Sequence, residues 1–566
     1  MAMKTRNLIY IAAILSCTFA CKDPLELDPT GWHSETVVYD SPEHMDLYVK
    51  SLYAVLYANA DISAGYIFDD CVTDLVKESW YGTGGGTVNK FFYQSDIITP
   101  ESNFRSNWGM YSYIRQINEF FFDYNYGYIK AIDPEIVKVR LAEARFLRAF
   151  AYQELVLRHG GVILRVREDH VDGPEDKAMA RTPEQQCWNF IISEYEKAAA
   201  DLPLSWSGTD YGRITKGAAI GMKARANLYA KRWQKAVDAC DELFKLNQYQ
   251  LLAGSTYDDY YKIFTSFQNK ELILPVLFAQ STGGATGKQH NFNSYFCPPG
   301  DGQPYNVSVG AAATPTEEYA SRFDIKVGGT WQAFDWDNLA SYGGKPFDNR
   351  DPRFYASILY NGAQWKGRTL EIYEEGLDGF MTYKSEGQDN QHKSTTGYLF
   401  RKFVSDDASM NYTSILSGQY WVEMRLAEIY LIRSEANARL EQWKKAYDDL
   451  NAIRGRAGLD EAPQKNNWDD YQKDLDKERV CELGLEGHRF FDMVRWGKAQ
   501  EVLDGKRLHG VKATPVTGGF SYEVVECDTQ DRHFPAKYNI WPIPYSELTT
   551  NKLCEQNAVW GGTWTD

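Results

Sequence analysis

Apolar residues recur at helical spacing through much of the chain and lose that spacing between about residues 279 and 400. In KVRLAEARFLRAFAYQELVLRH, residues 138–159, the positions Leu141, Ala144, Leu147, Ala151 and Leu155 fall on one stripe, and Gly160-Gly161 ends it. That pattern predicts an amphipathic helix. The same spacing predicts helices over 183–203 and 216–231. Two further stretches align with each other, ARANLYAKRWQKAVDACDEL (224–243) and SEANARLEQWKKAYDDLNAI (434–453). They share Ala226/Ala436, Asn227/Asn437, Trp233/Trp443, Lys235/Lys445, Ala236/Ala446 and Asp238/Asp448.

Each copy reads as a helix, a polar step, a Trp and a second helix carrying Ala. Small residues let two helices approach closely while the Trp fills the turn, which is the grammar of tetratricopeptide-type helical hairpins. Such hairpins usually stack without interruption, yet roughly two hundred residues separate these copies. Between them run STGGATGKQHNFNSYFCPPGDGQPYN, TPTEEYASRFDIKVGG and FDNRDPRFYASILYNG, with turn signals and short apolar pieces. The expected fold is therefore mainly α: helical hairpins as a scaffold, with a large irregular insertion, about 279–400, carrying the ligand surface. Function concentrates on loops held by a rigid scaffold.

The first residues change where the chain is expected to work. Lys4 and Arg6 precede an apolar core, 8–15, too short to span a bilayer, and small residues precede Cys17 and Cys21. This is the pattern of an export signal, and Ala20-Cys21 resembles a bacterial lipobox, in which acyl chains on the first mature cysteine anchor the protein without a spanning helix. Cys21 is the expected lipidation site and Cys17 its competitor, because Thr18 stands where Leu is usual. Residues 1–20 then form the signal, 21–30 a charged tether broken by Pro24 and Pro29, and 31–566 a single body.

Composition removes several classes. With 61 basic and 77 acidic residues the net charge is −16, which repels nucleic acid. The seven remaining cysteines are odd in number and contain no C-x-x-C pair, so neither a disulfide framework nor a zinc site is expected. GGATGKQ, 283–289, has Thr282 and Gln289 where a P-loop needs Gly and Ser or Thr. DWDN, 335–338, offers oxygen ligands of the kind Ca²⁺ takes, without the rest of an EF-hand loop; no cofactor is expected. The one excess is aromatic, with 38 Tyr, 28 Phe and 16 Trp.

KERVCELGLEGHRFFDMVRW, 477–496, is the densest motif. Arg479, Glu482, Glu486, Arg489, Asp492 and Arg495 stand three or four apart, so on a helix they form one alternating-charge ladder. Glu482 and Glu486 would project from the same side of that helix, whereas glycosidase carboxylates flank the bond from opposing sides, roughly 5 to 9.5 Å apart. A structural ladder is expected, with Gly484 and Gly487 permitting close packing.

This stretch resembles the signature of the SusD-like (RagB/SusD) family, nutrient-binding outer-membrane lipoproteins of Bacteroidota. CKDPLELDP, RFLRAFAYQELVLRHGGVIL, TKGAAIGMKARANLY, NRDPRF, RLAEIYLIRSEA, LNAIRGRAGL, WPIPYSEL and NKLCEQN are similar to its other motifs, in order. Arg158-His159 replaces the usual aromatic before Gly160-Gly161. The resemblance implies four tetratricopeptide-like hairpins, a less regular half with the ligand surface, and docking on a SusC-like TonB-dependent transporter. The implied cargo is an oligosaccharide or polysaccharide, with peptide or another nutrient as the alternative.

Sugars bind through C–H faces on aromatic rings plus planar polar side chains on hydroxyls, so the candidates are aromatics outside the repeat helices. They are Trp80 and Tyr81 in KESWYGTGGG, Trp331 and Trp336 in GGTWQAFDWDN, Trp365 in NGAQWKG, and Tyr295 in FNSYF. A plug inside a loop explains each of them too, and explains Trp365 better. Trp108 and Asn118 recur at helical spacing and are expected to be structural. A surface glycoside hydrolase would need two carboxylates facing across a groove, and no such pair is identifiable. A protein-only adaptor leaves the aromatic insertion without a role.

Overall fold

The computed structural model describes residues 38–60, 62, 69–79, 91–93, 97–102, 104–130, 132–166, 178–279, 288–305, 307–382, 392–411 and 416–565. Cys17, Cys21, the tether, Trp80, Tyr81 and most of GGATGKQ lie outside these residues. The helices that build the scaffold and hold the site are α1 (Pro42–Leu52), α2 (Met110–Tyr126), α3 (Pro134–His159), α4 (Glu184–Asp201), α5 (Lys216–Tyr229) and α6 (Trp233–Lys245). They continue with α7 (Tyr257–Thr265), α8 (Pro352–Ser357), α9 (Leu426–Arg439), α10 (Trp443–Arg456), α11 (Trp468–Leu483) and α12 (Arg489–Arg495). No helix of the described residues is long and apolar enough to cross a membrane.

Helix α3 begins where Asp133 accepts the Glu135 amide and Pro134 takes the first helical position. Its stripe is not one-sided, because α1, α2 and α4 pack around it. Glu143, Arg148 and Arg158 are consequently buried, and each has a charged partner: Arg213 for Glu143 at 2.8 Å, Glu194 for Arg148 at 2.6 Å, Glu154 for Arg158 at 2.7 Å. Beside it Asn118 bonds the Arg165 carbonyl and Arg148, and Trp108 lies edge-on to His159 at 4.9 Å. His159 is buried and bonds the Ser106 carbonyl, which explains how a histidine replaces an aromatic there.

The two aligned stretches are α5–α6 and α9–α10, and they are neighbours in space, since α6 packs on α9. Their turns match atom for atom. Lys231 and Glu441 both sit at φ 59°, and the Arg232 and Gln442 amides donate to the Asn227 and Asn437 carbonyls at 2.8 Å. Between the copies, strand β2 (Leu272–Val276) pairs antiparallel with β8 (Trp421–Arg425). The irregular segment thus leaves and re-enters the scaffold at one ladder, which lets the hairpins stack as though uninterrupted.

The irregular half draws on more of the chain than the insertion alone. Strand β1 (Val76–Glu78) pairs with β3 (Ala313–Pro315), β4 (Ile325–Val327) with β5 (Thr330–Gln332), and β6 (Ile358–Tyr360) with β7 (Tyr398–Phe400). The hairpin of β9 (His509–Val516) and β10 (Gly519–Glu526) joins them, the Val511 amide donating to the Thr396 carbonyl at 2.7 Å. One apolar core runs through both halves, from Met45 and Leu147 in the scaffold to Phe292, Phe354 and Tyr398 in the irregular half.

Candidate functional site

The charged signature does not form one ladder. Helix α11 ends at Gly484, Leu485 takes φ 69° and Gly487 φ 77°, and α12 starts in a new direction. The glycines serve different needs. A Cβ at Gly484 would stand 2.5 Å from the Val480 carbonyl oxygen and 2.7 Å from the Tyr319 ring, whereas Gly487 supplies the left-handed backbone. The charges therefore reach separate segments. Arg425, at the end of β8, donates to Glu271, Glu482 and Glu486; Arg353 of NRDPRF meets Glu478 at 2.6 Å and Glu482 at 3.1 Å; Lys402 meets Glu486 at 2.7 Å. Arg489 reaches Asp74 at 2.8 Å, Arg479 reaches Asp492 at 2.6 Å, and Arg495 meets Glu435. All of these side chains but Arg495 are buried and it is nearly so.

Burial alone would push the Glu482 and Glu486 carboxyls up. Arg456, Arg425 and Arg353 around Glu482 hold it well below the usual range instead, and Arg425 with Lys402 holds Glu486 at about 2. Neither has a proton to give near neutrality. Burial does push Asp70, Glu317 and Glu423 up to about 7. Glu317 accepts from Tyr398 at 2.5 Å and from Trp336 at 2.7 Å. Glu423 takes Arg225 at 2.7 Å and borders a void of about 40 Å³, room for a water and not for a sugar ring.

Four of the predicted aromatics lie among the described residues, each in its own setting. Trp331, half-buried on β5, donates its indole N–H to the Gly458 carbonyl at 2.8 Å, and the Lys326 ammonium lies 5.2 Å from its ring. Trp336, also half-buried, donates to Glu317 and meets Phe334 edge-on at 5.2 Å. Tyr295 is half-buried in the short helix Phe292–Phe296 against the main core. Trp365 is 2 % exposed and donates to Asp301 at 2.9 Å, so it fills a loop core and offers no open ring face. In DWDN, Asp335 accepts from the Asp337 amide and the Asn338 side chain, which closes the turn with the oxygens a cation would take. Among the described residues no group of three His, Cys, Asp or Glu could hold a metal ion.

Beside Trp365 opens a groove of about 490 Å³ that the sequence did not single out. The rings of Tyr257, Tyr355 and Tyr360 line it, with Phe347, Ile358 and Leu359 beneath. Asp348, Asn349, Gln364 and Arg401 supply the polar groups. Strand β6 sets Tyr360 on the groove, α8 sets Tyr355, and α7 brings Tyr257 from nearly a hundred residues away. Tyr355 is fixed by its own hydroxyl, which donates to the Phe347 carbonyl at 2.7 Å and accepts from the Arg350 amide at 2.9 Å. Tyr257 is 38 % exposed. Flat rings beside planar amides suit a ligand with apolar faces and hydroxyl edges.

A helical-repeat scaffold packed on a loop-rich, irregular half is the architecture of a SusD-like protein. The chain belongs to the SusD family: the model of that family matches residues 270–560, and a second, described as starch-binding associating with outer membrane, matches 26–228. A SusD-like protein of Formosa agariphila is 24 % identical over 584 residues, covering 99 % of this chain and 100 % of that one. The starch-binding protein SusD of Bacteroides thetaiotaomicron is 24 % identical over 493 residues, 78 % of this chain and 76 % of its own. Among solved structures, a SusD-like protein of Bacteroides fragilis superposes with a TM-score of 0.74 at 26 % identity, over 92 % of this chain and 97 % of that chain. A laminarin-binding SusD-like protein gives 0.64 at 23 % identity, over 90 % and 98 %.

Proposed function

We propose that this protein captures an oligosaccharide at the bacterial surface and passes it, uncleaved, to a SusC-like TonB-dependent transporter in the outer membrane. Lipid on Cys21, or on Cys17, would hold it there. Support comes from the family and from relatives whose names specify starch and laminarin binding. The observation that carries it is the groove, which Tyr257, Tyr355 and Tyr360 line together with Asn349 and Gln364. Trp331, Trp336 and Tyr295, with Trp80 and Tyr81, would extend the ligand surface beyond it, and Trp365 would support it from behind. The charged signature locks segments together, and its carboxylates are held by guanidiniums.

Incubating the purified protein with a panel of polysaccharides tests this directly. Retention of at least one glycan without release of reducing ends is expected. Release of reducing ends would make the protein a hydrolase, and binding of peptides in place of any glycan would make it a different importer component.

A further inference from the structure

We propose that the groove holds an anionic group, so that the cargo is an acidic glycan bearing carboxylates or sulfate esters, gripped by the Arg401 guanidinium. This rests on the groove being the glycan site proposed above.

The protein answers many of its buried guanidiniums with carboxylates at short range. Arg353 has Asp351 at 2.8 Å and Glu478 at 2.6 Å, Arg425 has Glu271 at 2.8 Å, Arg213 has Glu143 at 2.8 Å, and Arg368 has Asp378 at 2.7 Å. Arg401 lacks such a partner, as buried Arg350 does, but Arg350 spends its donors on the Pro346, Ala320 and Phe323 carbonyls. Its side chain is 12 % exposed, yet among the described residues the one ion pair of Arg401 is with the half-exposed Asp406 at 4.0 Å. Its Nε is shielded from solvent and has no hydrogen-bond partner among the described residues, and the side chain's hydrogen bond to Tyr257 brings it no negative charge. A charge so placed is costly unless something pairs with it.

What surrounds Arg401 positions the charge without neutralising it. Its backbone amide donates to the Ser357 carbonyl at 3.0 Å, one residue after β7, which fixes where the side chain starts. The guanidinium carbon lies 4.7 Å from the Tyr257 ring centroid, 5.3 Å from Tyr261 and 6.0 Å from Trp365. Ring faces hold the plane of a cation and leave its charge intact. The same side chain lines the groove beside Tyr257 and Tyr360. A planar fork of donors matches a carboxylate or sulfate in two parallel hydrogen bonds. Asp348 on the rim has its own counter-ion, Lys345, at 3.5 Å. The net charge of −16 opposes an acidic ligand at long range, but salt screens that repulsion beyond about 8 Å at physiological ionic strength, so contact at Arg401 decides.

The test is calorimetric titration with matched sets of oligosaccharides of one backbone and length: neutral glucan, mannan and galactan oligomers, the corresponding uronates, and sulfated forms of the neutral oligomers. A charged member binding at least tenfold tighter than its neutral counterpart is expected, and the uronate and sulfate arms tell the two sources apart. Arg401→Gln should abolish that preference, and Arg401→Lys, with charge but no fork, should restore part of it. Neutral oligomers binding as tightly as charged ones would overturn the proposal while leaving the glycan site standing. No binding in any set would remove both. Should Arg401→Gln fail to fold, as its melting curve would reveal, the comparison of ligands on the unaltered protein still decides.

Discussion

Trp365 and Tyr257 stand near the same guanidinium and have opposite consequences when removed. Trp365 is buried, so Trp365→Ala opens a cavity and should cost about 3–5 kcal/mol of stability in urea unfolding. Tyr257 is 38 % exposed, so Tyr257→Ala should leave the unfolding midpoint nearly unchanged. In titration it should weaken glycan binding about tenfold, or about 1.4 kcal/mol, the loss of one stacking face. Glu486→Gln belongs with Trp365. It leaves buried Lys402 without its carboxylate and takes one of three from Arg425, and breaking such a pair costs about 3–5 kcal/mol. Its melting temperature should fall while the folded fraction keeps its ligand affinity; lost binding at unchanged stability would move the signature into the site.

At the scale of elements, acidity should separate two sets of carboxyls. Glu486 and Asp492 sit at about 2 in the folded protein, below their ordinary 4.5 and 3.8, so each stabilises the fold at neutral pH. That contribution disappears as pH falls from about 4.5 toward 2. Asp70, Glu317 and Glu423, raised to about 7, stabilise it below their ordinary values and lose that contribution as pH rises from about 4 to 7, while buried His159, His290 and His488, lowered to about 4, add stability from about pH 4 to 6.5 and offset that loss. The melting temperature should therefore climb steeply from about pH 2 to 4.5 and stay nearly level from there to 7; an unchanged melting temperature between pH 3 and 4.5 would contradict the network. The repeat hairpins were legible in the sequence because small residues and a Trp at each turn dictate close helix packing. The break after α11 was not, because the Tyr319 ring that crowds Gly484 comes from 165 positions earlier, a leucine is not a residue expected in left-handed backbone, and spacing alone favours a continued helix. The groove escaped for the same reason: Tyr257 and Tyr360 line one space only because α7 packs on α8, nearly a hundred residues away in sequence.

For the whole molecule, a single core that crosses from scaffold to irregular half predicts that the two do not unfold separately. Trp233→Ala, at the turn of a scaffold hairpin, should lower the one cooperative transition seen by circular dichroism. A second transition confined to the insertion would show the halves to be independent. The proposed anchor makes a separate prediction: Cys21→Ala should stop palmitate incorporation and release the protein from the membrane fraction, whereas continued labelling would point to Cys17. The central claim is that the irregular half holds a glycan and the helical scaffold holds that half in place. Calorimetric titration of the tightest-binding oligosaccharide into the native protein and into Tyr257→Ala and Trp233→Ala tests it most directly. Weakened binding at native stability for Tyr257→Ala, with native affinity in the folded fraction of Trp233→Ala, is the predicted result; native affinity for Tyr257→Ala would contradict it.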